Sequence, residues 1–273
     1  MLIQRVLTAL ILLPLLIAAI AFLPPPALYA VFCAAGLIAG WEWAGLMKAP
    51  APSTAIRAGF VASCAALLAA GWLLREHALW VCVAAGLWWL LAIGLVRGYP
   101  GNFERSRPGL PVMWLIGVLL IVPTMLSLWM LHAMPNGPWR VFFLFFLVFA
   151  ADTGAYLAGR NFGKHKLAPS VSPGKTVEGM VGGLLLCAAW AACAGPWVFP
   201  IDSPVQIVQL VVLCLFVALF SVLGDLVESL FKRAAGVKDS GTILPGHGGM
   251  LDRVDSILAG APMMALGLTL LKL

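Results

Sequence analysis

The chain has 273 residues, of which 62% are hydrophobic and only 10% charged, with a net charge of +6 and a mean hydropathy of +1.01. A soluble domain covers its surface with roughly a quarter charged residues, so this composition excludes a water-soluble globule and makes lipid the main solvent. The six cysteines (Cys33, Cys64, Cys82, Cys187, Cys193 and Cys214) all lie in apolar runs without a C-x-x-C pair, which argues against a disulfide framework or a zinc site.

Taken in chain order, nine apolar stretches approach membrane-spanning length: residues 6–23, 27–47, 58–74, 78–96, 111–131, 139–158, 177–199, 205–231 and 254–271. Unsatisfied backbone cannot face hydrocarbon, so each is expected to be a helix. The expected fold is an all-α, polytopic integral membrane protein of about nine transmembrane helices. Arg5 precedes the first stretch, but no small-residue cleavage site followed by a polar region appears, so that stretch is read as a span rather than a cleaved signal.

Orientation follows from the basic residues. With the N-terminus in the cytoplasm, one side collects Arg5, Lys48, Arg57, Arg97, Arg105, Arg107, Arg160, Lys164, Lys166, Lys175, Lys232, Arg233, Lys238 and Arg253. The other keeps Arg75, Arg140 and Lys272. This asymmetry places the C-terminus outside and the active face in the cytoplasm. The short N-terminus is read as pointing to a bacterial inner (plasma) membrane. The basic face suits anionic headgroups or phosphates, and nucleic acid is not an expected partner.

Two regions differ in character. Residues 1–138 contribute about five helices with simple loops, while residues 139–273 contribute about four helices and two long cytoplasmic loops. In the first region Glu42, in "GWEWAG", is an intramembrane acid, but it sits near the cytoplasmic end where snorkelling serves equally well. It is left outside the expected site.

The second region carries the polar residues. Asp152, Tyr156 and Arg160 share one helix face, with Asp152 about 12 Å below Arg160 at 1.5 Å per residue. A carboxylate at the bilayer centre costs about 2.5–3.5 kcal/mol. It is kept for a polar cavity, a metal or a cationic partner; an ion pair that fixes helix packing is the structural alternative. Further on, Ser221, Asp225, Glu228 and Lys232 share another face, and Asp252 and Asp255 lie three apart at the start of the last span. Asp152, Asp225, Asp252 and Asp255 are expected to converge, and an oxygen-only set favours Mg²⁺ or Mn²⁺ over zinc.

Around these acids stand the complements of a phosphate: Lys164, Lys166, Lys175, Lys232, Arg233, Lys238 and Arg253, with the hydroxyls of Ser172 and Thr176. "SPGKTVEG" reads as a helix start with Ser172 as N-cap and Pro173 at the first position, its free N–H groups suited to an anion. Gly246, Gly248 and Gly249 let backbone approach a ligand. "PGKT" lacks the upstream strand and leading glycine of a P-loop. Clustered acids, many cations and a glycine-rich loop at the lipid boundary point to phosphoryl or nucleotidyl transfer on a lipid.

The segment "SLFKRAAGVKDSGTILPGHGGMLDRVD" resembles the signature of the phosphatidate cytidylyltransferase (CDP-diglyceride synthetase) family, and each fixed position of that pattern is met. "ADTGAYLAGRNFGKHKLAPSVSPGKTVEG" resembles the family's second block. The resemblance covers the second region closely. It implies transfer of CMP from CTP to phosphatidic acid, giving CDP-diacylglycerol and pyrophosphate at the cytoplasmic face, in phospholipid biosynthesis. It also implies Mg²⁺ dependence, with K⁺ also implicated, and a homodimer. Carried onto this chain, Asp225 and Asp252 would bind the metal, Asp255 would help complete the centre and Asp152 would contribute less directly.

Catalysis here is charge neutralisation and positioning of two anions. Lys175, Lys232, Arg233, Lys238 and Arg253 are expected to hold the triphosphate and the lipid phosphate, with Arg160, Lys164, Lys166, Ser172, Thr176, Gly248 and Gly249 on the substrates. His247 either touches phosphate or braces the loop, and Arg253 could instead pair internally with Asp255 or Asp225. A secondary transporter also builds intramembrane ion sites, but no repeat relates the two halves. A lipid-binding scaffold leaves the sunken aspartates unexplained. A CDP-alcohol phosphotransferase needs a D-G-x-x-A-R string that is not in this chain.

Overall fold

The computed structural model describes residues 2–47 and 52–273, and the side chains of residues 8 and 10–47 within the first of these stretches. Lys48, assigned above to the basic side, lies outside the described residues. The helices in chain order are α1 (Leu2–Phe22), α2 (Pro25–Leu46), α3 (Thr54–Leu73), α4 (Ala78–Gly98), the short α5 (Gly101–Arg105), α6 (Leu110–Ala133), α7 (Gly137–Phe162), α8 (Val177–Val198), α9 (Pro204–Ala234) and α10 (Leu251–Leu271). A 3₁₀ turn, Arg75–His77, joins α3 to α4, and the strands β1 (Lys166–Ala168) and β2 (Ser172–Thr176) lie between α7 and α8.

Each of the nine predicted spans falls on one long helix. Among the described residues eight helices are long and apolar enough to cross a membrane. The first predicted span is α1, whose Leu10–Phe22 portion is apolar but shorter than a span. The chain is an all-α, multi-pass membrane protein.

The helix starts follow from local chemistry. Proline stands in the first turn of α2, α6, α7 and α9, where its missing N–H costs nothing. Ser53 and Ser203 accept from the amides of Ile56 and Gln206, capping α3 and α9.

The expected helix start at "SPGKTVEG" is wrong in detail. Ser172 and Pro173 belong to β2, which pairs antiparallel with β1 through Lys166 opposite Thr176 and Ala168 opposite Ser172. A residue before proline is pushed toward extended backbone, which favours a strand at Ser172. The cap lies further on, at Thr176, whose hydroxyl accepts from Gly179 N at 3.1 Å.

Helices α6 and α10 form the enclosed centre. α10 packs on α2, α4, α6, α7 and α9, and α8 bridges α7 and α9. Gly224 of α9 lets the two site helices touch: a Cβ there would lie 2.5 Å from the Asp255 carbonyl of α10. The region of residues 1–138 is joined to the catalytic half by aromatic packing. Trp43 of α2 sits edge-on to Phe231 of α9 at 4.9 Å between centroids, and Phe103 of α5 meets the same ring at 5.7 Å. The Trp43 indole N–H donates to Met113 O of α6 at 3.0 Å.

Candidate active site

The α9–α10 contact brings carboxylates together. On α9 the i, i+3, i+7 spacing of Asp225, Glu228 and Lys232 keeps them on one face, and Asp255 of α10 faces them. One oxygen from each of Asp225, Glu228 and Asp255 lies within 4.8 Å of the others. Three acids at that distance repel unless cations stand among them.

Two lysines do so. Lys175 Nζ of β2 lies 2.6 Å from Asp225 Oδ2, and Ser229 Oγ donates to Asp225 Oδ1 at 3.1 Å. Lys232 Nζ lies 2.5 Å from Glu228 Oε2 and 2.7 Å from Asp252 Oδ1. Asp252 is also held by its loop: Ser240 N and Gly249 N donate to Oδ2 at 3.0 and 2.8 Å. Asp255 Oδ1 accepts from Ser256 N at 2.6 Å.

Glu228 is 1% exposed, and its Oε1 has no hydrogen-bond partner among the described residues. An orphaned carboxylate oxygen in an all-oxygen cluster fits a hard divalent cation such as Mg²⁺. Of the sequence-expected metal ligands, Asp225 and Asp255 belong to this group. Asp252 stands one turn nearer the loop and faces Lys232. Asp152 of α7 lies on the wall of the adjoining cavity rather than in the group. Glu228 joins them although the sequence reading placed it only on the face.

Beside the acids opens a cavity of about 380 Å³ lined by Asp152, Tyr156, Arg160, Lys175, Thr176 and Gly179 among others. The predicted face of Asp152, Tyr156 and Arg160 therefore looks into one space, where Arg160 Nη1 donates to the Tyr156 oxygen at 3.2 Å. The β-hairpin closes one side. Glu178, in the first turn of α8, ties the hairpin down by accepting from Lys164 N and His165 N, each at 3.1 Å, and by meeting His165 Nδ1 at 2.6 Å. Ser172 is half-buried and Thr176 buried, while Lys164 and Lys166 are exposed.

On the other side runs the loop after α9. Arg233, Lys238 and Arg253 are exposed there. The internal pairing considered for Arg253 is not formed with Asp225, whose partner is Lys175. Gly248 takes φ +81° and its carbonyl accepts from Leu244 N at 3.0 Å, closing a tight turn. His247 is half-buried in that turn, its Nδ1 without a partner among the described residues.

The reading of the sequence singled out Glu42 as an intramembrane acid but set it outside the site. Its carboxylate is buried at 5% exposure and accepts from Leu251 N at 2.7 Å and Ser240 Oγ at 3.3 Å. Its charge inside an apolar helix was the signal. The partner could not be read, because it lies in the other half of the chain.

Comparison with known proteins identifies the family. The cytidylyltransferase family matches residues 3–271. The chain is 38% identical to the phosphatidate cytidylyltransferase of Pseudomonas aeruginosa over 97% of its own length and 96% of the relative's. It is 36% identical to the phosphatidate cytidylyltransferase of Haemophilus influenzae over 97% and 98%. The phosphatidate cytidylyltransferase of Staphylococcus saprophyticus is 48% identical over 47% of this chain and 48% of its own. With a match from near one end to the other and a cation-balanced acid cluster at its centre, the chain belongs to the cytidylyltransferase family.

Proposed function

We propose that this protein is a CTP:phosphatidate cytidylyltransferase, making CDP-diacylglycerol and pyrophosphate for phospholipid synthesis. The observation that carries the reading is the meeting of Asp225, Glu228 and Asp255 with Lys175 and Lys232 beside a cavity whose wall carries Asp152, Arg160 and Lys175, in an otherwise apolar helix bundle. The relatives' names support the substrates CTP and phosphatidate.

The chemistry is a displacement at phosphorus. A phosphate oxygen of phosphatidic acid bonds to the α-phosphorus of CTP, the bond from that phosphorus to the bridging oxygen breaks, and pyrophosphate leaves with the electron pair. The nucleophile is already anionic at neutral pH, so no base is needed and the barrier is mutual repulsion of two anions. Lys175 and Lys232 supply fixed positive charge at the acids. Arg160 stands on the cavity wall, Lys164 at the base of the hairpin, and Lys238 and Arg253 on the loop side, where they gather phosphate groups. Gly248 and Gly249 give the loop a close backbone approach. Asp225, Glu228 and Asp255 would hold Mg²⁺, with Asp252 one turn closer to the loop and Asp152 across the cavity; when bound, the ion neutralises charge developing on the phosphates. A K⁺ ion and a homodimer belong to the same proposal.

The location proposed is a bacterial inner membrane with the site on the cytoplasmic side, supported by the gathering of basic residues at the helix ends around the cavity. The test is purified protein in mixed micelles with phosphatidic acid, Mg²⁺ and labelled CTP, beside Asp225→Asn. Labelled CDP-diacylglycerol from the wild type and little from the variant is the expected result. A folded wild type that yields no liponucleotide overturns the reading.

A further inference from the structure

The site's loop is held from outside the catalytic half. Met250 is the N-cap residue of α10, and its own side chain caps nothing. The first turn of the helix still presents unsatisfied N–H groups and the positive end of the helix dipole. The acceptor that meets Leu251 N comes from α2: Glu42 Oε2, at 2.7 Å. The same oxygen accepts from Ser240 Oγ at 3.3 Å, so one buried carboxylate ties together the middle of the loop and its end.

The loop is shaped around that carboxylate. A Cβ added at Gly241 or Gly249 would collide with Glu42 oxygens. Ser240 is gripped twice, by Glu42 at its hydroxyl and by Asp252 at its amide. Asp252 in turn holds Lys232, which holds Glu228. Thr8 of α1 adds a second strap, its hydroxyl donating to Pro245 O at 3.0 Å. Glu42 thus stands at one end of a continuous polar chain whose other end is the acid cluster.

We infer that Glu42 is a positioning residue for the reaction: it caps α10 across the two halves of the chain and fixes the loop that aligns Asp252 and Lys232. This rests on the function proposed above. Glu42 touches no atom of the cluster, so it acts through Ser240, Leu251 and Asp252. A carboxylate suits the task because an anion at a helix N-terminus gains from the dipole and because its Oε2 accepts from both the Leu251 amide and the Ser240 hydroxyl.

The test compares Glu42→Ala and Glu42→Gln in purified protein by two readouts. One is amide hydrogen exchange of the 240–252 segment, which needs no turnover. The other is steady-state cytidylyltransferase kinetics. For Glu42→Ala, exchange over that segment is expected to rise about tenfold and kcat to fall about tenfold or more, with KM for phosphatidic acid unchanged. Exchange in α4 and α6 stays at the wild-type level. Glu42→Gln keeps the length and an acceptor oxygen, and is expected to stay within about threefold of wild type in both readouts.

Wild-type exchange and turnover in Glu42→Ala overturn the inference. So does exchange that rises equally through α4 and α6, which makes Glu42 a general packing residue. If Glu42→Ala does not insert, Glu42→Asp carries the comparison: faster exchange at 240–252 with lower kcat supports the role, and parity with wild type overturns it. A wild type without turnover sinks the proposed function alone, since the exchange contrast still decides whether Glu42 holds the loop.

Discussion

Lys175 and Asp225 meet at 2.6 Å, one from the two-stranded hairpin between α7 and α8 and the other from the last third of the long helix α9. Each is about a quarter exposed, so the pair borders the cavity rather than the packed interior. The lysine neutralises an acid that would otherwise face Glu228 and Asp255, and it lines the cavity beside them.

Lys175→Ala is therefore expected to lower kcat/KM for CTP about a hundredfold, the range found when one fixed electrostatic contact to a reacting group is deleted. Steady-state kinetics with varied CTP checks this. Unchanged CTP dependence would show that the pair serves only to hold the hairpin on α9.

Lys232 has a second duty. It neutralises Glu228, which is buried, and Asp252 together, and removing one member of a buried ion pair leaves an uncompensated charge worth about 3–5 kcal/mol. Lys232→Met should lower thermal stability in detergent as well as abolish turnover. Lys232→Met/Glu228→Gln should regain part of the stability but none of the activity. Equal melting of both variants would contradict the pairing.

The acid cluster predicts a divalent-cation requirement. Chelation should stop turnover and Mg²⁺ or Mn²⁺ should restore it. Mn²⁺ binding followed by electron paramagnetic resonance should weaken at least about tenfold in Asp225→Asn and in Glu228→Gln. Tight binding that persists in both variants would place the ion elsewhere.

Thr176 tests the hairpin junction. Its hydroxyl caps α8 through Gly179 N, and loss of such a cap costs about 1 kcal/mol. Thr176→Ala should lower the unfolding midpoint modestly, while Thr176→Ser should not. An unchanged midpoint in Thr176→Ala would show that the hydroxyl does not stabilise the helix start.

Much of this was legible before the fold was seen. The spans follow from composition alone, because backbone in hydrocarbon must close its own hydrogen bonds, and among the described residues a long helix lies at each apolar stretch. Asp225, Glu228 and Lys232 could be placed on one face because helical spacing is a local rule. The face of Asp152, Tyr156 and Arg160 held for the same reason.

The hairpin at Ser172–Thr176 was misread because proline fits a strand edge as well as a helix start, and pairing with β1 decided between them. The partners of Glu42 and Asp252 could not be read at all. Periodicity tells which residues share a helix face, but not which other helix that face meets. The sequence by itself determined a membrane-spanning helical chain whose acids and cations gather in its second half. Tertiary structure alone decided that Gly224 brings α9 against α10, that Lys232 stands between Glu228 and Asp252, and that a carboxylate from α2 holds the loop of the other half. Those are contacts between segments far apart in the chain, set by how closely whole helices pack, and no local rule of spacing contains them.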